Sequence, residues 1–287
     1  MLHPSRAGGN LQVSAISSAF SQYHATAIRP GSAMLAFFEI PARMRAIRLH
    51  VELPLVVGTE LALPPQAGEH AIRVLRLAEG DPLVLFNGDG SDYQARICSI
   101  GKRDVTVQVT SRQSLQNESP LPLILAQGIA RGDKMDLIVQ KATELGVVGI
   151  VPLLTERSEV KLDPVRAQKR LSHWRAVAAS ACEQCGRARV PEVQPATALS
   201  AWLDVLPTDG SLRLALLPEA TLACRDLQFT GMGGVLVVGP EGGLGDRDIT
   251  ALRDAGFRGL HLGPRVLRTE TAGMAALASL QALHGDG

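Results

Sequence analysis

Val235-Leu236-Val237-Val238-Gly239-Pro240-Glu241-Gly242-Gly243-Leu244-Gly245 passes directly from a wholly apolar run into a loop with four glycines in seven residues. A strand with no polar alternation is buried on both faces, the mark of a parallel sheet covered by helices. Outward from this stretch the same texture repeats. Leu121–Leu125, Val148–Leu154, Leu212–Leu217 and Gly259–Leu262 are apolar runs of strand length, separated by helical patterns. Asp133 is placed to cap a helix through Met135, Ile138, Val139, Ala142 and Leu145, with Gly146 as its stop. Asp163-Pro164 opens a longer helix through Leu171, Trp174, Val177 and Ala181. Alternating strands and helices predict an α/β domain with a mostly parallel sheet.

In such sheets ligands gather in the loops after the carboxyl ends of strands. Gly239–Gly245 is neither G-x-G-x-x-G nor a P-loop, so dinucleotide binding and triphosphate hydrolysis lack support. Its glycines suit either a tight strand-to-helix turn or a backbone that a ligand approaches closely. After Leu262 comes Gly263-Pro264-Arg265-Val266-Leu267-Arg268-Thr269-Glu270-Thr271, ahead of a small-residue helix from Ala272 to Leu283. Either a threonine there caps the helix while the arginines face water, or the charged residues build a polar site.

Residues 45–111 have a different texture, short apolar runs broken by Gly, Pro and Asp. Pro82–Phe86 followed by Asn87-Gly88-Asp89-Gly90 predicts a hairpin, and Val105–Val109 alternates with period two. A helical stretch at Gly68–Leu77 interrupts the strands, and Ser111–Pro122 is a polar linker. The expectation is a small β-barrel over 44–115 and an α/β domain over 120–287. Residues 1–43, rich in Ser and Ala, are expected to be a disordered or misassigned extension with Met44 the working start.

Composition sets bounds on function. The 287 residues are 46% apolar and only 3% aromatic, which provides a core but no stacking platform for single strands. Net charge is +1, so any nucleic-acid surface is local. Cys98, Cys182, Cys185 and Cys224 are too scattered for a disulfide framework, and Cys182-x-x-Cys185 has no partner pair at zinc spacing. They read as structural thiols in a reducing cytoplasm, with no metal and no membrane span.

Gly239-Pro240-Glu241-Gly242-Gly243 and Leu262–Ala272 do not stand alone. With Gly132-Asp133-Lys134-Met135-Asp136, Gln140–Gly146 and Glu183–Arg187, in this order, they resemble the bacterial 16S ribosomal RNA uridine-N3 methyltransferases. These form the ribosomal RNA small subunit methyltransferase E family of the SPOUT superfamily, and the resemblance spans residues 45–284. It implies a PUA-like RNA-binding barrel before a trefoil-knotted methyltransferase domain. It also implies S-adenosylmethionine as cofactor and a homodimer acting on the small ribosomal subunit. By resemblance the cofactor pocket comprises Leu217, Gly239, Glu241, Gly242, Leu262, Gly263, Leu267, Thr271 and Ala272. Gly245 departs from the family's usual Ser or Thr at the start of the next helix.

Uridine N3 carries a proton, so the enzyme must supply a base or a cation that favours the uracil anion. Arg268 is expected to stabilise charge developing on O2 or O4, and Glu270 to orient it or take the proton. Arg45, Arg48, Arg73, Arg76, Lys134 and Arg187 are the expected RNA contacts. From Arg157 to Arg189 eight basic residues against three acids form a further phosphate footprint. Ribose 2′-O methylation and a non-catalytic RNA-binding assembly factor are the alternatives; a redox protein built on Cys182 and Cys185 is more remote.

Overall fold

The computed structural model describes residues 47–102, 104–159, 163–229 and 233–287. The N-terminal extension, Met44, Arg45 and Lys161 lie outside them. The described residues divide into two compact units. One contains the described residues from 47 to Glu118 together with Ala178–Val190; the other contains Ser119–Val177 and Pro191–Gly287. Residues 178–190 therefore depart from the continuous boundary expected at 120.

The first unit is built on five strands: β1 (Arg48–His50), β2 (Glu60–Ala62), β3 (Pro82–Phe86), β4 (Ser91–Ile100) and β5 (Val105–Ser114). They pair in the order β1-β3-β4-β5-β2, antiparallel except for β1 with β3. In β5 Val105, Val107 and Val109 are buried and their neighbours face outward, the period of two seen in the sequence. The hairpin forms as expected: Gly88 and Gly90 take φ of +90° and +86°, and Ser91 N donates to Asp89 Oδ1 at 2.9 Å. Strand β5 extends to Ser114, into the expected linker. The interrupting helix begins earlier than expected, as α1 (Pro65–Glu69), continues as a π-turn over His70–Val74, and ends before Arg76 at φ +56°. Arg73 and Arg76 thus do not share a regular helical face.

Two expected RNA contacts belong instead to the interior of this unit. The Arg48 side chain is 7% exposed, is ion-paired to an Asp92 that is 4% exposed, and lies over the Phe86 ring at 4.8 Å. Its Nη2 donates to the Arg187 carbonyl at 3.0 Å. Arg187 forks onto Glu118, with Nη2 2.5 Å from Oε2 and Nε 3.2 Å from Oε1. A guanidinium buried against a carboxylate is not available to a phosphate. Cys182 is fully buried and its thiol donates to the Arg189 carbonyl.

The second unit carries eight parallel strands among the described residues: β6 (Leu123–Gly128), β7 (Gly149–Leu154), β8 (Glu192–Val193), β9 (Thr197–Ala198), β10 (Leu212–Leu216), β11 (Leu222–Ala223), β12 (Gly234–Val238) and β13 (Arg258–His261). Their order is β11-β13-β10-β12-β6-β7-β8, with β9 also paired to β7. The helices are α2 (Lys134–Glu144), α3 (Pro164–Cys185, whose residues from Ala178 onward belong to the first unit), α4 (Leu199–Leu203), α5 (Asp246–Asp254) and α6 (Thr269–His284). Both faces of the sheet are covered. Ile124, Ala126, Val235 and Val237 pack with Val151, Trp202, Leu252 and Phe257, while Leu123 and Leu125 alternate to the opposite face. Each such fully buried Val, Leu, Ile or Phe side chain contributes about 1.5–3 kcal/mol.

Asp133 occupies the N-cap position of α2 but makes no side-chain capping bond. Gly146 stops the helix at φ +81°, a conformation costly for other residues. Asp163 Oδ1 accepts from the Arg166 amide at 3.0 Å and caps α3. From β13 the chain returns past β10 to seat α6 against α2, β6 and β12. That return brings two loops together at the strand ends.

Candidate active site

β12 ends at Val238, and its loop folds back at once. A Cβ on Gly239 would lie 2.9 Å from Gly243 C and Leu244 N, so only glycine permits the turn. A Cβ on Gly128, at the end of β6, would stand 2.5 Å from Pro240 Cδ. The neighbouring strand end is therefore bare so that the glycine loop can lie on it.

The loop then enters α5 without a local hydroxyl cap. Gly245 is the N-cap, and its amide donates to Asp248 Oδ2 at 3.0 Å. The carboxylate of Glu156 accepts from the Arg247 amide at 3.1 Å, supplying the bond that Ser or Thr usually makes. A Cβ at Gly245 would come within 2.9 Å of Glu156 Cβ, which accounts for glycine at this position. Arg157, next along, donates to the Gly242 carbonyl at 3.2 Å.

Between the Gly239–Gly245 loop and the Leu262–Thr269 loop opens a cavity of about 710 Å³, within the size range of small-molecule sites. Leu217, Gly239, Glu241, Gly242, Leu262, Gly263, Leu267, Arg268 and Ala272 all line it, as does Lys134. Thr271 is exposed on the first turn of α6 and does not line it; Thr269 does. Nor does Thr269 cap α6: its hydroxyl donates to the Gly239 carbonyl at 2.5 Å. Arg157, Glu219, Asp246, His261 and Arg265 also line it, beyond the residues expected there. Glu219 and Arg265 had visible signals, since each lies in a loop flagged at a strand end.

Charge on the wall is paired. Lys134 Nζ lies 3.1 Å from Glu241 Oε1 and 3.8 Å from Glu270 Oε2. Burial pushes the Glu241 carboxyl up, but the Arg131 amide, its own amide and Lys134 outweigh it and hold it below the usual carboxylate range. Glu270 is 14% exposed and lies outside the lining; its Oε2 is buried without a hydrogen-bond partner. It sits to neutralise Lys134, whose charge is thereby committed to two acids. Arg268 is exposed on the cavity rim, next to Val266 at 85% exposure.

The other cations are dispersed. Arg73 is ion-paired to Glu69, Arg166 to Asp163, and Arg175 Nε donates to the Val193 carbonyl. The footprint read between Arg157 and Arg189 is therefore not one continuous free surface. Among the described residues no helix is long and apolar enough to cross a membrane.

Residues 117–281 match the model of the RNA methyltransferase domain, and residues 63–110 that of the RNA methyltransferase PUA domain. A methyltransferase of Legionella pneumophila, solved with the cofactor SAM bound, is 40% identical and superposes with a TM-score of 0.81 over 85% of this chain and all of its own. The ribosomal RNA small subunit methyltransferase E of Neisseria gonorrhoeae, solved with S-adenosyl methionine, is 36% identical, with a TM-score of 0.78 over 84% of this chain and 99% of its own. The enzyme of the same name from Buchnera aphidicola is 30% identical over 85% of this chain and 99% of its own length. The glycine loop, the arginine loop and the PUA domain that precedes them are thus parts of one known design, and the chain belongs to the ribosomal RNA small subunit methyltransferase E family.

Proposed function

We propose that this chain methylates N3 of a uridine in 16S ribosomal RNA, using S-adenosylmethionine, as a cytoplasmic homodimer acting on the small ribosomal subunit. The single observation that carries the reading is the strand-end cavity, lined by eight of the nine residues the family resemblance assigns to the cofactor. The chain is an RNA methyltransferase of the SPOUT type, with a mostly parallel sheet and an N-terminal PUA domain. Relatives named ribosomal RNA small subunit methyltransferase E support the substrate, and the Legionella and Neisseria structures, both solved with S-adenosylmethionine, support the donor.

The residues present suit the cofactor. Leu217, Leu262 and Leu267 offer apolar surface to an adenine, and the Gly239–Gly243 backbone allows close approach. Glu219, Glu241 and Asp246 are acceptors for ribose hydroxyls and an ammonium, and Arg157 is a cation for a carboxylate. When bound, the cofactor supplies an electrophilic methyl group on a sulfonium. The protein's remaining task is to align a uracil and lower the cost of removing its N3 proton. Arg268, exposed at the rim, acts as the cation facing the uracil oxygens. Glu270 holds Lys134 in place, and this position favours orientation over proton abstraction. Arg73, Arg76 and Arg265 are exposed and serve the RNA backbone. Leu137 and Leu283, 39% and 52% exposed on the mutually packed α2 and α6, support the homodimer.

Labelled cofactor incubated with small subunits lacking the modification, and separately with free 16S rRNA, tests the reading. Digestion and mass analysis should place the label on uracil N3. Label on a ribose hydroxyl would replace the proposed specificity, and no transfer to either RNA would overturn it.

A further inference from the structure

Gln127 is the polar residue of an otherwise apolar β6, and it is fully buried. Its Nε2 donates to the Gly128 carbonyl at 2.8 Å and to Thr269 Oγ1 at 2.9 Å, and lies 3.3 Å from the Gly239 carbonyl. Thr269 Oγ1 in turn donates to that same Gly239 carbonyl at 2.5 Å. One carboxamide therefore joins the end of β6, the turn after β12 and the first residue of α6. The Gln127 Oε1 atom is buried with no hydrogen-bond partner. A site selected for packing alone would carry Leu or Met here, because an apolar side chain of that shape leaves no buried acceptor unpaired.

We infer that Gln127 is a positioning residue for methyl transfer, holding Gly239 and Thr269 in the arrangement that receives the cofactor; this rests on the function proposed above. Gln127 itself does not line the cavity, whereas Gly239, Thr269 and Ala272 do. Its action is therefore through them. The Gly239 and Leu262–Thr269 loops come from different crossovers of the sheet, and among the described residues the Gln127 side chain bonds to both Gly239 and Thr269. Fixing both before the ligand arrives lowers the ordering cost at binding.

Gln127→Met keeps the volume and deletes the donors; Thr269→Val deletes the hydroxyl, and Thr269→Ser keeps it. Cofactor affinity is measured by calorimetry, KM and kcat by methyl transfer to small subunits, and stability by thermal melting. Gln127→Met and Thr269→Val are each expected to weaken cofactor binding at least tenfold, with the KM for RNA within twofold of the parent. Thr269→Ser should restore affinity, and the double variant should be no worse than the poorer single one, because both act on one network. If Gln127→Met melts earlier yet binds cofactor and turns over like the parent, the residue is merely structural and the inference is overturned. Should Gln127→Met fail to fold, the Thr269→Val and Thr269→Ser pair decides on the intact Gln127 background: equal cofactor affinity in the two would overturn the inference. A parent protein that transfers no methyl group refutes the proposed function, whereas a normal parent with normal variants refutes only the role of Gln127.

Discussion

The Glu156 carboxylate accepts the Arg247 amide hydrogen bond at the start of α5, 3.1 Å away, in the place where Gly245 has no side chain to do so. The backbone of Glu156 is itself held by Asp248, at 3.0 Å from its Oδ2. Glu156 thus accepts from Arg247 and donates to its neighbour Asp248, across more than ninety positions of sequence.

Gly245→Ser alone should destabilise the fold by about 1–3 kcal/mol, because the new Cβ meets Glu156 in a packed site. Glu156→Ala alone should cost about 1 kcal/mol for the lost cap. Combined, the serine caps locally and the double variant should be more stable than Gly245→Ser. Urea midpoints measure the coupling; strictly additive losses would mean that the two positions do not exchange roles.

Arg48→Ala should destabilise the first unit by about 3–5 kcal/mol, since it strands a buried Asp92. Arg73→Ala, at an exposed pair, should change stability by less than about 1 kcal/mol. In RNA binding the order should reverse. The slope of affinity against salt is expected to drop for Arg73→Ala and to stay unchanged for any folded Arg48 variant such as Arg48→Met/Asp92→Leu.

Arg268→Ala should lower kcat by about 100-fold, the usual loss for one electrostatic donor at developing charge. Cofactor affinity should stay within threefold, because the cavity wall at Arg268 is its rim. Single-turnover methyl transfer and calorimetry separate the two effects. Near-parental kcat would remove Arg268 from the chemistry.

Glu241 titrates below the usual carboxylate range, so its ion pair contributes stability above the ordinary value of about 4.3 and loses it as pH falls through the lowered folded value. The pair is partly exposed, and its contribution is on the order of 0.5–1 kcal/mol. The stability gap between the parent and Glu241→Gln should therefore be flat from pH 8 to 5 and close at more acid pH. Melting curves across that range check it; a gap that closes near neutrality would contradict the assignment.

Hydrogen bonding to Cys185 and burial push the Cys182 thiol far above its ordinary range, whereas Cys98 is exposed. A thiol reagent at neutral pH should label Cys98 within minutes and reach Cys182 only on unfolding, since the thiolate is the reactive form. Mass analysis of peptides from the labelled protein reads the outcome.

The second unit was legible wherever its signal was local. Apolar runs marked β6, β7, β10, β12 and β13, and Gly146 marked the end of α2. The strand-end rule then led to both cavity loops. What stayed hidden were partners far apart in the chain. Gln127 and Gly128 lie beyond the apolar run Leu121–Leu125, and Arg48 reads as an RNA contact at the start of a domain. Their roles come from Thr269, Pro240 and Asp92, which no periodicity connects to them. The family resemblance implies Thr271 in the pocket, but the first turn of α6 leaves it exposed and puts Thr269 and Ala272 on the lining.

The return of α6 onto β6 also sets an order of events during synthesis. The helix is made after every strand of its sheet, yet it rests on the first of them. Strand β12 must insert between β10 and β6, and the Gly239 carbonyl gains its Thr269 hydroxyl only when α6 arrives. Contacts of such long sequence separation are slow to form. Until they do, the apolar faces of β6 and β12 lack their cover, so a nascent chain halted before residue 269 should be a strong chaperone client.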